Sequence, residues 1–188
     1  NKIDDYEKMK LKSSIGTVFQ GSALFDSMTI EENVMFPLKM FQEMEMEEMK
    51  TRVNEVLKRV ELENSNNKFP SEASGGMQKR VAIARAIVNQ PKYLFCDEPN
   101  SGLDPKTAIV IDNLIKDITE EYKITTVINS HDMNSVMEIG QKIVFLKNGE
   151  TEWQGDKDEI FRTENKAVTD FVYSSNLYKK IRKMYLKK

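Results

Sequence analysis

The sequence predicts an α/β domain built on a largely parallel sheet. Short apolar or β-branched runs (15–19, 93–96, 124–128, 142–146) alternate with stretches of helical periodicity (51–60, 77–89, 108–118, 133–139). The polar residues Gln20, Asp97, Glu98 and His131 follow the carboxyl ends of three of these runs, where open α/β sheets bind ligands. At 188 residues the chain has the size of one domain, with enough core to bury roughly 70% of its unfolded surface.

Residues 15–19 read as a short strand ending at Gln20-Gly21. From Thr29 to Val60 the chain is polar and methionine-rich, with Met35, Met40, Met44, Met46, Met49 and an acidic cluster over 43–48. Those methionines suit either an adaptable partner surface or ordinary core filling, and the acidic cluster a solvated face. Val53, Val56, Leu57 and Val60 line one side of a helix over 51–60, closed by the Asn-Ser-Asn-Asn run at 64–67 and by Pro70. Ser74-Gly75-Gly76 opens a run of good helix formers that Pro91 ends. Residues 93–96, between Pro91 and Pro99, read as a strand buried on both faces, and 124–128 as a second buried strand. A final strand at 142–146 enters a hairpin turn at Lys147-Asn148-Gly149-Glu150.

Composition removes several function classes. Twenty-eight basic against thirty acidic side chains give a net charge of −2, so nothing points to nucleic acid. No apolar run approaches the roughly 20 residues that span a bilayer, and the mean hydropathy is −0.54. Cys96 is the single cysteine, which excludes an intramolecular disulfide and fits a reducing compartment, and with one histidine leaves little for zinc.

Chemistry concentrates in five short segments. Leu94-Phe95-Cys96-Asp97-Glu98-Pro99 delivers two successive carboxylates to a strand end. There one can stay ionised near a hard cation while the other takes a proton from water, or the pair can simply form a turn. Ser74-Gly75-Gly76-Met77-Gln78-Lys79-Arg80 opens a helix with exposed N–H groups suited to a phosphate, and equally reads as a Ser N-cap. Ser101-Gly102-Leu103-Asp104-Pro105, His131 and Gln20 each have plain structural readings as a turn, a satisfied polar residue and a surface glutamine.

Taken in order, Val18-Phe19-Gln20, Ser74-Gly75-Gly76-Met77, Leu94-Phe95-Cys96-Asp97-Glu98-Pro99, Ser101-Gly102-Leu103-Asp104-Pro105 and Ser130-His131-Asp132 resemble the ATP-binding subunits of ABC transporters. They look like the Q-loop, signature motif, Walker B strand, D-loop and H-loop, over about residues 11–155. The resemblance implies a P-loop NTPase-like (RecA-like) core with an inserted helical subdomain, truncated at its amino terminus. Residues 1–25 and 91–155 would form the partial core, 26–90 the helical subdomain, and 156–188 a helical, basic tail. It implies that Gln20 senses the γ-phosphate and Mg²⁺, that Asp97 holds Mg²⁺ through water, and that Glu98 is the general base. It further implies that His131 contacts the γ-phosphate. Ser74, Gly75 and Gly76 would contact ATP held by the opposite subunit, and Asp104 would work across that interface. ATP and Mg²⁺ are the implied cofactors. A transmembrane permease and a second copy are the implied partners, at the cytoplasmic face of a bacterial inner membrane.

The sequence departs from the family at Ala73, usually leucine, and at Met77, most often glutamine. No Gly-x-x-x-x-Gly-Lys-Ser/Thr occurs in these 188 residues, although that loop cradles the β- and γ-phosphates. The expectation is therefore an inactive fragment of a longer ATPase. The segment from Phe19 to Val34, with Phe36-Pro37-Leu38 and Ser-Gly-Gly-Met, is similar to Mla-type lipid or organic-solvent-tolerance ATPases, which implies phospholipid transport. The alternatives are the ATPase of a small-molecule importer and a non-catalytic binding or dimerisation fragment. The tail at 176–188 carries six basic residues and no acid, suiting anionic headgroups, a partner subunit or solvent.

Overall fold

The structure, a computed structural model, describes residues 3–173 and residue 180. The tail at 176–188 therefore lies outside the described residues apart from Lys180. The chain divides into two compact units, Asn1–His131 and Asp132–Lys188.

The first unit carries a three-stranded sheet in the order β1 (Ile15–Val18), β2 (Tyr93–Asp97), β3 (Thr125–Asn129), parallel throughout. Its helices are α1 (Asp5–Ser13), α2 (Ile30–Phe41), α3 (Met46–Arg59), α4 (Gly75–Ile87) and α5 (Pro105–Tyr122). Sequence chemistry sets their starts. The Thr29 hydroxyl accepts from the Glu32 N–H while the Glu32 carboxylate accepts from the Thr29 N–H, a capping box that begins α2. Ser74 Oγ accepts from the Met77 N–H at 3.3 Å and begins α4. Asp104 accepts from the Lys106 and Thr107 N–H groups at 3.1 Å, with Pro105 at the first helical position of α5. α3 starts five residues before the apolar periodicity does, with Glu47 and Glu48 in its first turn, where acids oppose the helix dipole favourably.

One face of the sheet carries Val18, Leu94 and Cys96 into a core shared with Val81, Ile83 and Ile87 of α4 and Ile111, Ile115 and Ile118 of α5. Val34 and Leu38 of α2 and Val53, Val56 and Leu57 of α3 complete it. β1 and α4 approach so closely that a Cβ on Gly16 would lie 2.3 Å from the Ala86 carbonyl oxygen. The methionines divide: Met35 and Met49 are buried in this core and Met44 packs against it, whereas Met40 and Met46 are exposed.

The expectation that β2 and β3 are buried strands is corrected by their alternation. Tyr93, Phe95 and Val127 stay 45%, 42% and 52% exposed, on the face opposite Leu94 and Cys96. Burial on both faces needs helices on both, and within the first unit the buried core lies on the Leu94 and Cys96 face.

The second unit begins with α6 (Met133–Ile139) and continues into an antiparallel hairpin, β4 (Ile143–Lys147) and β5 (Glu150–Gly155). Asn148 and Gly149 have φ of 53° and 82°, the left-handed pair that a two-residue hairpin turn requires. α7 (Lys157–Arg162) and α8 (Lys166–Val172) follow, capped by Asp156 and Asn165. Ile160, Phe161, Val168, Val172 and Tyr173 form their own small core, with Phe145 and Trp153 packed against it.

Candidate functional site

All three parallel strands end on the same edge of the sheet, and that edge gathers the polar residues singled out in the sequence. Asp97 closes β2 and pairs in register with Asn129 at the end of β3. The Asn129 amide donates to Asp97 Oδ1 at 2.7 Å, while Asp97 Oδ2 accepts nothing from a described residue. Glu98 follows with a left-handed φ of 45°, and its N–H donates to the Asn129 carbonyl at 2.9 Å. A side chain with a Cβ adopts that conformation at a cost, which concentrates at functional positions. The turn points the Glu98 carboxylate at His131, whose N–H donates to Oε1 at 3.0 Å and whose Nδ1 lies 2.6 Å from the same oxygen. Glu98 is largely shielded and His131 is open to solvent.

Gln20 joins the group through its side chain and its backbone. Its amide donates to Ser101 Oγ at 3.4 Å, and the Ser101 N–H in turn donates to the Glu98 carbonyl at 3.1 Å. The Gln20 carbonyl accepts from the ammonium of Lys79, a buried lysine on α4. Burial pulls the Lys79 ammonium below its ordinary pKa, and the charge of Glu98 pushes it back up.

Gln20, Asp97, Glu98 and His131 are thus brought together. Ser74, Gly75, Gly76 and Asp104 form a second group, where the start of α4 meets the start of α5. A Cβ on Gly76 would lie 2.9 Å from Thr107 Cγ2, and one on Gly75 would lie 3.5 Å from Leu103 Cδ2. A side chain at 76 would therefore force Thr107 to shift, whatever Gly76 presents to a ligand. Asp104 is held below the usual carboxylate range by the hydroxyl and then the N–H of Thr107.

Sequence reasoning left Asn129, Ser101 and Lys79 without roles. Ser101 stood inside the Ser101-Gly102-Leu103-Asp104-Pro105 segment with the plain reading of a turn residue, and Asn129 fell between the 124–128 strand and Ser130-His131-Asp132. Lys79 had no signal, because a lysine among good helix formers ordinarily faces water.

Among the described residues no three His, Cys, Asp or Glu side chains converge as a metal cage. The donors that are present, the unengaged Asp97 Oδ2 and the Gln20 amide oxygen, fit Mg²⁺, which takes few protein ligands and keeps waters and nucleotide oxygens.

The sequence matches the family described as ABC transporter over residues 1–101. It is 39% identical over 169 residues to the methionine import ATP-binding protein MetN 1 of Bacillus thuringiensis subsp. konkukian, covering 89% of this chain and 50% of that protein. It is 40% identical over 173 residues to MetN 1 of Oceanobacillus iheyensis, covering 92% and 51%. The chain spans about half the length of these curated relatives. Among solved structures it resembles the dimeric ATP-binding cassette MJ0796 bound to ADP and Pi, with a TM-score of 0.73, 41% identity and coverage of 83% and 68%. It also resembles cbiO1 of Clostridium perfringens, part of the cbiONQ transporter complex, with a TM-score of 0.78, 30% identity and coverage of 96% and 72%.

The import relatives do not support the lipid expectation raised by the segment from Phe19 to Val34. The structure explains that segment locally: Ile30 and Val34 fill the core, and Thr29 and Glu32 cap α2. Asn33 is fully buried, with Nδ2 3.0–3.1 Å from the carbonyls of Phe25, Met28 and Thr29. These residues shape a loop and a helix. With its ordered motifs, its α/β fold and these matches, the chain belongs to the ABC transporter family as an ATP-binding domain of the P-loop NTPase-like fold.

Proposed function

We propose that this chain is the hydrolytic part of an ABC importer's ATPase subunit, driving uptake of a small molecule of the amino-acid class through a permease. The observation that carries the reading is the Glu98 carboxylate, turned by a left-handed backbone onto His131 beside Asp97 and Gln20. The methionine import relatives support the importer over lipid transport. The protein works at the cytoplasmic face of the membrane, bound to the permease and paired with a second copy.

In this reading Asp97 and Gln20 hold Mg²⁺, which neutralises charge on the nucleotide phosphates. Asn129 fixes the Asp97 carboxylate so that one oxygen faces outward. Glu98 orients the attacking water and accepts its proton, and His131 keeps the Glu98 carboxylate in place and reaches the γ-phosphate. Ser74, Gly75 and Gly76 offer the N–H groups of the α4 start to ATP on the opposite copy, and Asp104 fixes the neighbouring turn. Because these 188 residues hold no Gly-Lys phosphate loop, tight nucleotide binding and turnover are assigned to the whole protein and not to this stretch alone.

The test is reconstitution of the whole protein with its permease in vesicles. The expected result is ATP-dependent uptake of methionine or a related amino acid, lost with Glu98→Gln while ATP still binds. ATP-dependent phospholipid transfer without amino-acid uptake would overturn the importer reading. Undiminished turnover in Glu98→Gln would overturn the assignment of the base.

A further inference from the structure

Lys79 is 5% exposed, on the helix that begins with Ser74-Gly75-Gly76, and no role follows for it from packing. It stands between the part-buried Gln78 and Arg80, just before the fully buried run Val81, Ala82, Ile83 and Ala84. A buried ammonium loses hydration that an apolar side chain of the same length would not have to give up. What it gains is the Gln20 carbonyl at the end of β1 and the charge of Glu98.

The same helix grips the next residues of that loop. Arg85 donates to the carbonyls of Ser22 and Ala23, both at 2.8 Å, and its guanidinium lies 5.8 Å from the centre of the Phe25 ring. Ser22 and Ala23 both have left-handed φ, 63° and 48°, a loop conformation that needs holding. Three carbonyls of the loop thus hang on two cations of α4. Of the two, Lys79 holds the carbonyl of Gln20 itself, the residue placed in the hydrolytic site.

We propose that Lys79 is a positioning residue of the hydrolytic site: from the core of α4 its ammonium fixes the backbone of Gln20. Movement of the α4 start is thereby passed to Gln20 without any contact between their side chains. The proposal rests on the roles given above to Gln20 and Glu98.

The test uses the whole protein with its permease, measuring kcat and KM for ATP in Lys79→Met, Lys79→Gln and Lys79→Arg. Lys79→Met keeps the length and removes the donor. It is expected to lower kcat about 10- to 100-fold, as small misplacements of catalytic groups do, with KM changed less than about twofold. Lys79→Arg, which keeps charge and donors, is expected to recover most of that loss. In a Gln20→Ala background Lys79→Met should cost little more, because residues acting through one another are not additive. Should Lys79→Met fail to fold, Lys79→Gln is read in its place by the same criteria. Unchanged kcat, or effects that multiply independently with Gln20→Ala, would overturn the proposal. Glu98→Gln is assayed alongside: if it still turns over, the underlying reading of the site fails. If it is dead while the Lys79 variants match wild type, only the inference fails.

Discussion

His131 and Glu98 meet at a single oxygen: both the backbone N–H and the ring Nδ1 of His131 converge on Glu98 Oε1. The second carboxylate oxygen is left for other work, and the backbone donor remains whatever side chain stands at 131. His131→Ala is thus expected to leave the carboxylate half-anchored. The expected outcome is a fall in kcat of about 10²- to 10⁴-fold, the range for a lost acid–base partner. Because His131 is 76% exposed, folding stability should stay within about 0.5 kcal/mol of wild type. Steady-state ATPase assays and urea unfolding on the same preparation check both halves.

Gly16 sits where β1 presses on α4, and a methyl there would meet the Ala86 carbonyl, which belongs to a helix and cannot swing away. Gly16→Ala is expected to destabilise the fold by about 1–3 kcal/mol, the usual cost of overpacking. A lower urea midpoint at unchanged slope is the signature. Gly21→Ala, with open space around its position, serves as the control.

Cys96 is 2% exposed in the middle strand, and burial pushes its thiol up to about 12. Thiolate forms there only when the sheet opens. Alkylation of the native protein is expected to be slower than that of the unfolded chain by about 10³-fold or more, since opening the core costs several kcal/mol. Mass-spectrometric labelling across a urea titration should follow unfolding and nothing earlier.

Asp104 has a folded pKa below its unfolded one because Thr107 and Lys106 donate to the ionised form. The sign follows from linkage: the stabilisation is complete above the ordinary aspartate pKa and is lost as pH falls through the lower, folded value. Asp104→Asn keeps a capping oxygen and removes the titration. It is expected to flatten the acid limb of stability against pH, read from thermal midpoints between neutral and acidic buffers.

Much of this architecture was legible in the residues. Asp97 and Glu98 could be placed at a strand end because Pro91 and Pro99 bound a short apolar run. Ser74 and Asp104 could be placed at helix starts because their side chains are the ones that satisfy free N–H groups. α1 went unread because it buries nothing and so has no apolar stripe, although Asp4 and Glu7 form a capping box at its start. The exposed face of β2 was misread for the opposite reason. Tyr93 and Phe95 look like core residues, and whether they become so depends on what covers them, which no local pattern encodes. Lys79 was hidden by both effects, its burial fixed by packing of α4 and its partner 59 positions away.

The left-handed backbone at Glu98 makes residue 98 a place where two selections disagree. Glycine or asparagine takes that conformation with less strain than glutamate. A library enriched only for heat resistance should therefore drift to Gly or Asn at 98, while one enriched for transport-dependent growth should return Glu. The gap between the two populations reads out, at one codon, how much durability this lineage forgoes to keep its motor turning.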